Sequence, residues 1–118
     1  MTAQLIDGKA IAGRIYEEIK AEVAELKEKH GITPGLATVL VGENPASKAY
    51  VGSKQKTCTE VGFYSIGEHL PEDASQEQVE ELVKRLNADV SIHGILVQLP
   101  LPRHLDEERV LSAISIEK

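Results

Sequence analysis

Ser47, Tyr50, Lys54 and Cys58, in the stretch GENPASKAYVGSKQKTC, are the residues whose types and spacing could do chemistry. On a helix each residue advances about 100°, which places these four within roughly 80° of one another. A phenol ring and an amine four residues apart on one face could seat an aromatic ligand, the ring packing and the amine reaching reactive atoms. The blander alternative is a lysine lying over apolar surface, as long amphipathic side chains routinely do. Gln98 strengthens the first reading, because it interrupts the otherwise apolar stretch IHGILVQLP and a buried amide must find hydrogen-bond partners. A nearby lysine would be one such partner; tying down the following loop is the equal alternative. Lys48 and Lys56 point elsewhere on the helix and read as solvated surface lysines.

Other chemistries find less support. Cys58 on an apolar helix face reads as an inert core thiol, with nothing nearby to lower its pKa. His30, His69, His93 and His104 lie in separate segments without metal-ligand pairing, so no metal site is expected. Neither GxxxxGK[ST] nor GxGxxG occurs, which removes the main support for ATP chemistry. Ser47 at a helix start suits capping better than nucleophilic attack. A formal charge of −6 would repel a phosphate backbone, so nucleic acid is not an expected partner.

The elements that must position these residues follow from pattern. In 118 residues, 42% hydrophobic and 27% charged, one soluble domain with a single core is expected. No signal segment or membrane-length apolar run occurs, and the single cysteine fits a reducing compartment, so a cytoplasmic location is expected and no membrane partner. Ile11, Ile15, Ile19, Val23 and Leu26 recur at helical spacing and predict a helix over 10–29 with one buried stripe, capped by Asp7 and ended at Gly31. GLATVLVG predicts a strand covered on both sides. Asn44 and Pro45 predict the start of a helix over 46–61, in which Gly52 costs roughly 1 kcal/mol relative to alanine. FYSIGEHL predicts a strand nearer an edge. Ser75 and Gln78 make a capping box for a helix burying Val79, Leu82, Val83 and Leu86. IHGILVQLP predicts the third strand, stopped by Pro100 and Pro102, and Asp106 caps a last helix with Val110, Leu111 and Ile114 inward. Alternating helices and strands predict an α/β fold: a three-layer α-β-α domain with a mainly parallel open sheet. Ligands bind beyond the carboxyl ends of such strands, which singles out the GENPAS and QLPLP loops.

PGLATVLVGENPASKAYVGSKQKTCTEVGF together with GILVQLPLP resembles the bifunctional methylenetetrahydrofolate dehydrogenase/cyclohydrolase family. The resemblance covers essentially the whole chain, residues 1–118, as the N-terminal, folate-binding catalytic domain of such an enzyme. It implies that Ser47, Tyr50, Lys54, Gln98, Leu99 and Pro100 bind a tetrahydrofolate derivative, with Tyr50 stacking, Lys54 acting at the one-carbon bridge and Gln98 tuning it. Methenyltetrahydrofolate carries a delocalised cation, and an ammonium about 4 Å from it would cost on the order of 4 kcal/mol at an effective dielectric of 20. A neutral amine in a partly dry cleft is therefore expected, able to help activate the water that attacks the amidinium carbon.

The resemblance further implies NADP, bound mainly by a C-terminal Rossmann domain outside these residues, so that no cofactor-binding residue is expected in this chain. It implies a homodimeric full-length parent, and a further segment whose Asp binds the pterin. Ser115 and Ile116 stand where the family commonly has Asp-Pro. Because members of the family return a C-terminal helix to this domain, uncovered apolar surface is expected here. The competing readings are a noncatalytic folate-binding or dimerisation module, and a related dehydrogenase substrate domain with another ligand.

Overall fold

The structure, a computed structural model, describes residues 2–118. Seven elements alternate along them: α1 (Gly8–His30), β1 (Gly35–Val41), α2 (Pro45–Glu60), β2 (Tyr64–Leu70), α3 (Gln76–Ala88), β3 (Gly94–Val97) and α4 (Glu107–Ala113). The strands form one parallel sheet in the order β2-β1-β3, the α/β architecture that the alternation predicts. The β-branched run in β1 lies at the centre, buried along nearly its whole length, while β2 is an edge strand of mixed exposure.

Alternation along β1 divides the sheet into two unequal faces. Ala37, Val39 and Val41 join Val79, Leu82, Val83 and Leu86 of α3 and Val110 of α4 in one core cluster, completed by Ile92, Ile95, Val97, Leu101 and Leu105. Leu36, Thr38 and Leu40 turn toward α2, whose own buried residues are Ser47, Val51 and Cys58.

Local signals set the helix limits. Asp7, Asn44, Ser75 and Asp106 each accept from backbone N–H groups at a helix start, and the Ser75–Gln78 capping box is complete in both directions. Gly31 ends α1 at φ 65°, a left-handed conformation that glycine adopts without a Cβ penalty. Lys118 Nζ donates to the carbonyls of Leu86 at 2.9 Å and Asp89 at 2.7 Å, placing a cation at the α3 C-terminus where the helix dipole favours it. His93 Nδ1 accepts from Gly35 N at 2.9 Å while the backbone N–H of His93 donates to Gly35 O at 2.7 Å. The neutral ring therefore carries its hydrogen on Nε2.

Three expectations need correction. The stripe on α1 is not buried: Val23 is the one buried residue of the helix, Ile19 is intermediate, and Ile11, Ile15 and Leu26 are 39%, 47% and 38% exposed. Amphipathicity says which face seeks cover, and here α1 meets the rest of the chain chiefly through Val23 beside Gly62. The radius of gyration is accordingly 16.7 Å, against about 13.5 Å for a compact domain of this length. Leu111 is 40% exposed rather than inward, because α4 has only seven residues and Val110 takes the core-facing position. Finally, β3 covers only Gly94–Val97, and Gln98 lies just past it. One more ladder bond, Gln98 N to Val39 O at 2.9 Å, still holds its backbone to the sheet.

Two glycines should respond oppositely to alanine. Nothing lies within 4 Å of a Cβ built at Gly52, so Gly52→Ala should stabilise by about 0.5–1 kcal/mol. A methyl at Gly35 would collide with the Ser91 carbonyl, so Gly35→Ala should destabilise by about 1–3 kcal/mol. Urea midpoints shifting in the same direction would contradict this packing.

Candidate active site

The loop after β1 is built to launch a helix. Gly42 sits at φ 95°, Asn44 Oδ1 accepts from Ala46 N at 3.0 Å and Ser47 N at 3.1 Å, and Pro45 occupies the first turn, where no N–H is needed. The loop is also fastened from outside. His69 Nε2 donates to Gly42 O at 2.8 Å, and Glu43 pairs with Lys48 at 2.7 Å and faces His69 at 3.3 Å. The hydrogen bond from Lys48 holds the Glu43 carboxyl below its ordinary range. Lys48 is thus an exposed surface lysine with an ion-pair partner, and Lys56 is exposed as well.

From this start α2 carries Lys54 to the end of β3. Lys54 Nζ donates to Gln98 Oε1 at 2.8 Å, joining residues 44 positions apart in the chain. Gln98 is 9% exposed, and its Nε2 donates to Leu99 O at 2.9 Å. With its donor end engaged by that carbonyl, the amide must present its acceptor to the lysine. Gln98 thus meets the lysine and also ties down the loop that follows it.

The other expected residues surround this contact unequally. Tyr50 is one helical turn before Lys54 on the same face, 62% exposed. Leu99 is 39% exposed and Pro100 is exposed, so both form the rim, with a cis Leu99–Pro100 peptide between them. Ser47 departs from the open face: at 3% exposed it belongs to the packed root of α2. The expected dry cleft also needs correction. Lys54 is exposed, because Gln98 approaches it from one side only and no other element covers the amine.

Beside the amine is an apolar hollow of about 300 Å³, lined by Tyr16, Ile19, Leu36, Cys58, Phe63 and Leu96 among others. Its apolar lining is not legible in the sequence because it is assembled from α1, α2, β1, β3 and the turn after α2, segments far apart along the chain. A larger hollow of about 650 Å³ lies at the opposite, N-terminal end of the strands. It contains neither Lys54 nor Gln98; the smaller hollow includes Lys54 in its wall, while Gln98 and Tyr50 lie outside it. Among the described residues, no group of three or more His, Cys, Asp or Glu side chains is arranged to hold a metal ion, and no helix is long and apolar enough to cross a membrane.

An open parallel sheet that brings an amine to a fixed amide past a strand end defines the class as an α/β domain with a part-buried polar contact at the carboxyl ends of the strands. The chain belongs to the tetrahydrofolate dehydrogenase/cyclohydrolase family, whose catalytic domain matches residues 6–118. It is 57% identical over 118 residues to bifunctional protein FolD 2 of Myxococcus xanthus, covering 100% of this chain and 41% of that protein. The crystal structure of the bifunctional FolD methylenetetrahydrofolate dehydrogenase/cyclohydrolase from Campylobacter jejuni superposes with TM-score 0.95 at 48% identity, over 98% of this chain and 40% of that one. The Trypanosoma brucei FolD structure, complexed with NADP cofactor and inhibitor, also gives TM-score 0.95, at 42% identity, over 100% and 40% of the two chains. The chain therefore spans about two fifths of the length of these relatives.

Cys58, on the wall of the apolar hollow, offers a direct check of its packing. Burial pushes its thiol up, and the thiolate is the reactive form. Iodoacetamide should modify native Cys58 at pH 8 far more slowly than urea-unfolded chain, with a native rate that keeps rising at pH values where an ordinary cysteine has levelled off. Equal native and unfolded rates would show that the hollow is not packed as described.

Proposed function

We propose that this chain is the folate-binding catalytic domain of a bifunctional enzyme. That enzyme oxidises 5,10-methylenetetrahydrofolate to 5,10-methenyltetrahydrofolate with NADP and hydrolyses the product to 10-formyltetrahydrofolate. The observation that carries the reading is the 2.8 Å contact from Lys54 Nζ to Gln98 Oε1, within the chain's membership of the family.

The chemistry follows from charge. The methenyl carbon is part of a cationic amidinium, so a partner without charge avoids the repulsion that an ammonium would bring. Gln98 steers the amine through a neutral carbonyl oxygen, whereas a carboxylate there would favour the protonated form. The neutral amine takes a proton from water as the oxygen bonds to the amidinium carbon; the resulting ammonium returns that proton to the ring nitrogen as its C–N bond breaks, and the hydroxyl gives its own proton to solvent to become the formyl carbonyl. Tyr50 offers its exposed ring for stacking, Leu99 and Pro100 border the ligand, and Ser47 supports the loop from its buried position. In this reading, bound folate and the remainder of the parent supply the cover that Lys54 lacks.

These residues do not fit a dinucleotide. The turn after β1 spends Asn44 on capping its own helix, and no glycine-rich phosphate motif is present. NADP is therefore assigned to the rest of the parent's length, and no hydride step is drawn through this chain. The 118-residue chain should show no dehydrogenase turnover, because hydride transfer needs the nicotinamide held against the methylene carbon. We further assign the parent to the cytoplasm as a homodimer; the unpaired cysteine suits the first and the exposed stripe of α1 the second.

In the full-length protein, Lys54→Met should lower hydrolysis by about 10²-fold or more with little loss of stability, since the side chain is exposed. Wild-type rates in this variant would remove the lysine from the mechanism. Gln98→Glu should move the pH–rate profile to the alkaline side, because a carboxylate holds the amine protonated; an unmoved profile would show that Gln98 does not govern it. On the chain itself, calorimetry with a folate analogue should give binding that Tyr50→Ala weakens. Absence of any heat would favour a noncatalytic interaction module instead.

A further inference from the structure

Gln98 holds Lys54 from one side, and the next residue along α2 is held from another. Gln55 Nε2 donates to Thr38 Oγ1 at 2.9 Å, and Thr38 Oγ1 donates in turn to the Ile66 carbonyl oxygen at 3.3 Å. Thr38 is 0% exposed in the central strand, so its hydroxyl depends on these partners in place of water. Directly across the ladder stands Gly67, where a methyl group would collide with the Gln55 amide nitrogen. The Gln55 amide thus occupies space that a side chain on β2 would otherwise fill.

The geometry of α2 makes this contact consequential. Neighbouring helix residues diverge by about 100°, so Gln55 fastens α2 over β1 and β2 while Lys54 faces Gln98 beyond β3. The helix's apolar anchors, Val51 and Cys58, contribute burial, which is non-directional and resists rolling weakly. A roll of about 10° would carry a group about 6 Å from the helix axis through about 1 Å, and a misplacement of that size can cost 10²-fold in rate. Resting on the role given to Lys54 above, we propose that Thr38, Gln55 and Gly67 are positioning residues: an amide latch on a buried hydroxyl that sets the roll of α2 and with it the meeting of Lys54 and Gln98. The latch borders a separate groove of about 210 Å³ on the β2 side of the helix, away from the lysine's hollow.

The test measures hydrolysis of methenyltetrahydrofolate by the full-length enzyme as Gln55→Met, Thr38→Val and Thr38→Ser, with a crystal structure of Gln55→Met. Gln55 is only half-buried, and methionine keeps its length and helix propensity, so that variant folds even if Thr38→Val does not. The expected result is a kcat about tenfold lower in Gln55→Met and Thr38→Val, with KM within about twofold and wild-type kcat retained by the hydroxyl in Thr38→Ser. In the crystal, Lys54 Nζ and Gln98 Oε1 should separate beyond about 3.5 Å. Wild-type kcat in Gln55→Met with the contact intact overturns the proposal, as does a Thr38→Ser enzyme as slow as Thr38→Val. Should Lys54→Met hydrolyse at the wild-type rate, it is the function given to the lysine that fails. The Lys54–Gln98 separation in Gln55→Met then decides the latch by itself.

Discussion

The contact between Lys54 and Gln98 is the constraint around which the domain is arranged. It joins a residue inside α2 to the first residue beyond β3, so it forms only when the crossovers on both sides of β1 are in place. The amide is polarised in one direction by the Leu99 carbonyl, and a reversed Gln98 would set two donors against each other. A neutral, directional acceptor thus meets a flexible amine. Under the proposed function, that pairing suits chemistry on a cation, for which an acidic partner would hold the proton in the wrong place.

Support for α2 comes from interactions of different kinds. Its start is fixed by Asn44 and by the fastening of Gly42 and Glu43 to His69 and Lys48. Its middle combines the Gln55 tie with Val51 packing, and its end meets α1 near Val23. Exposed ion pairs such as Glu43–Lys48 are screened by solvent, so they serve the loop's shape more than the fold's stability. The tie from Gln55 ends on the fully buried Thr38 hydroxyl, which is more costly to leave without a partner.

Much of this was legible in the residues, and the gaps have physical causes. The helix starts were readable because capping is local: an acceptor side chain near an apolar-periodic run has one efficient use. Gln98 was readable because an amide in an apolar stretch needs partners. The same logic would have found Thr38, the one polar side chain inside GLATVLVG, but its high β-propensity hid the buried hydroxyl. The burial of α1 was misread because periodicity reveals an apolar face without revealing what meets it. Cover over Lys54 was overestimated for the same reason, since exclusion of water depends on several elements converging. Ser47 was placed on the open face by angle alone, and the tight turn at Asn44 and Pro45 draws it inward.

The unequal division of the sheet carries a dynamic consequence. The contiguous apolar cluster lies on the α3 and α4 side and includes no residue of α2, so the half bearing Lys54 is fastened largely by discrete polar ties and a few apolar contacts. Protection against hydrogen exchange varies with such local anchoring. Backbone amides of α2 should exchange through partial openings that leave the β1–α3 half intact, a separation of mobility from cohesion within one sheet.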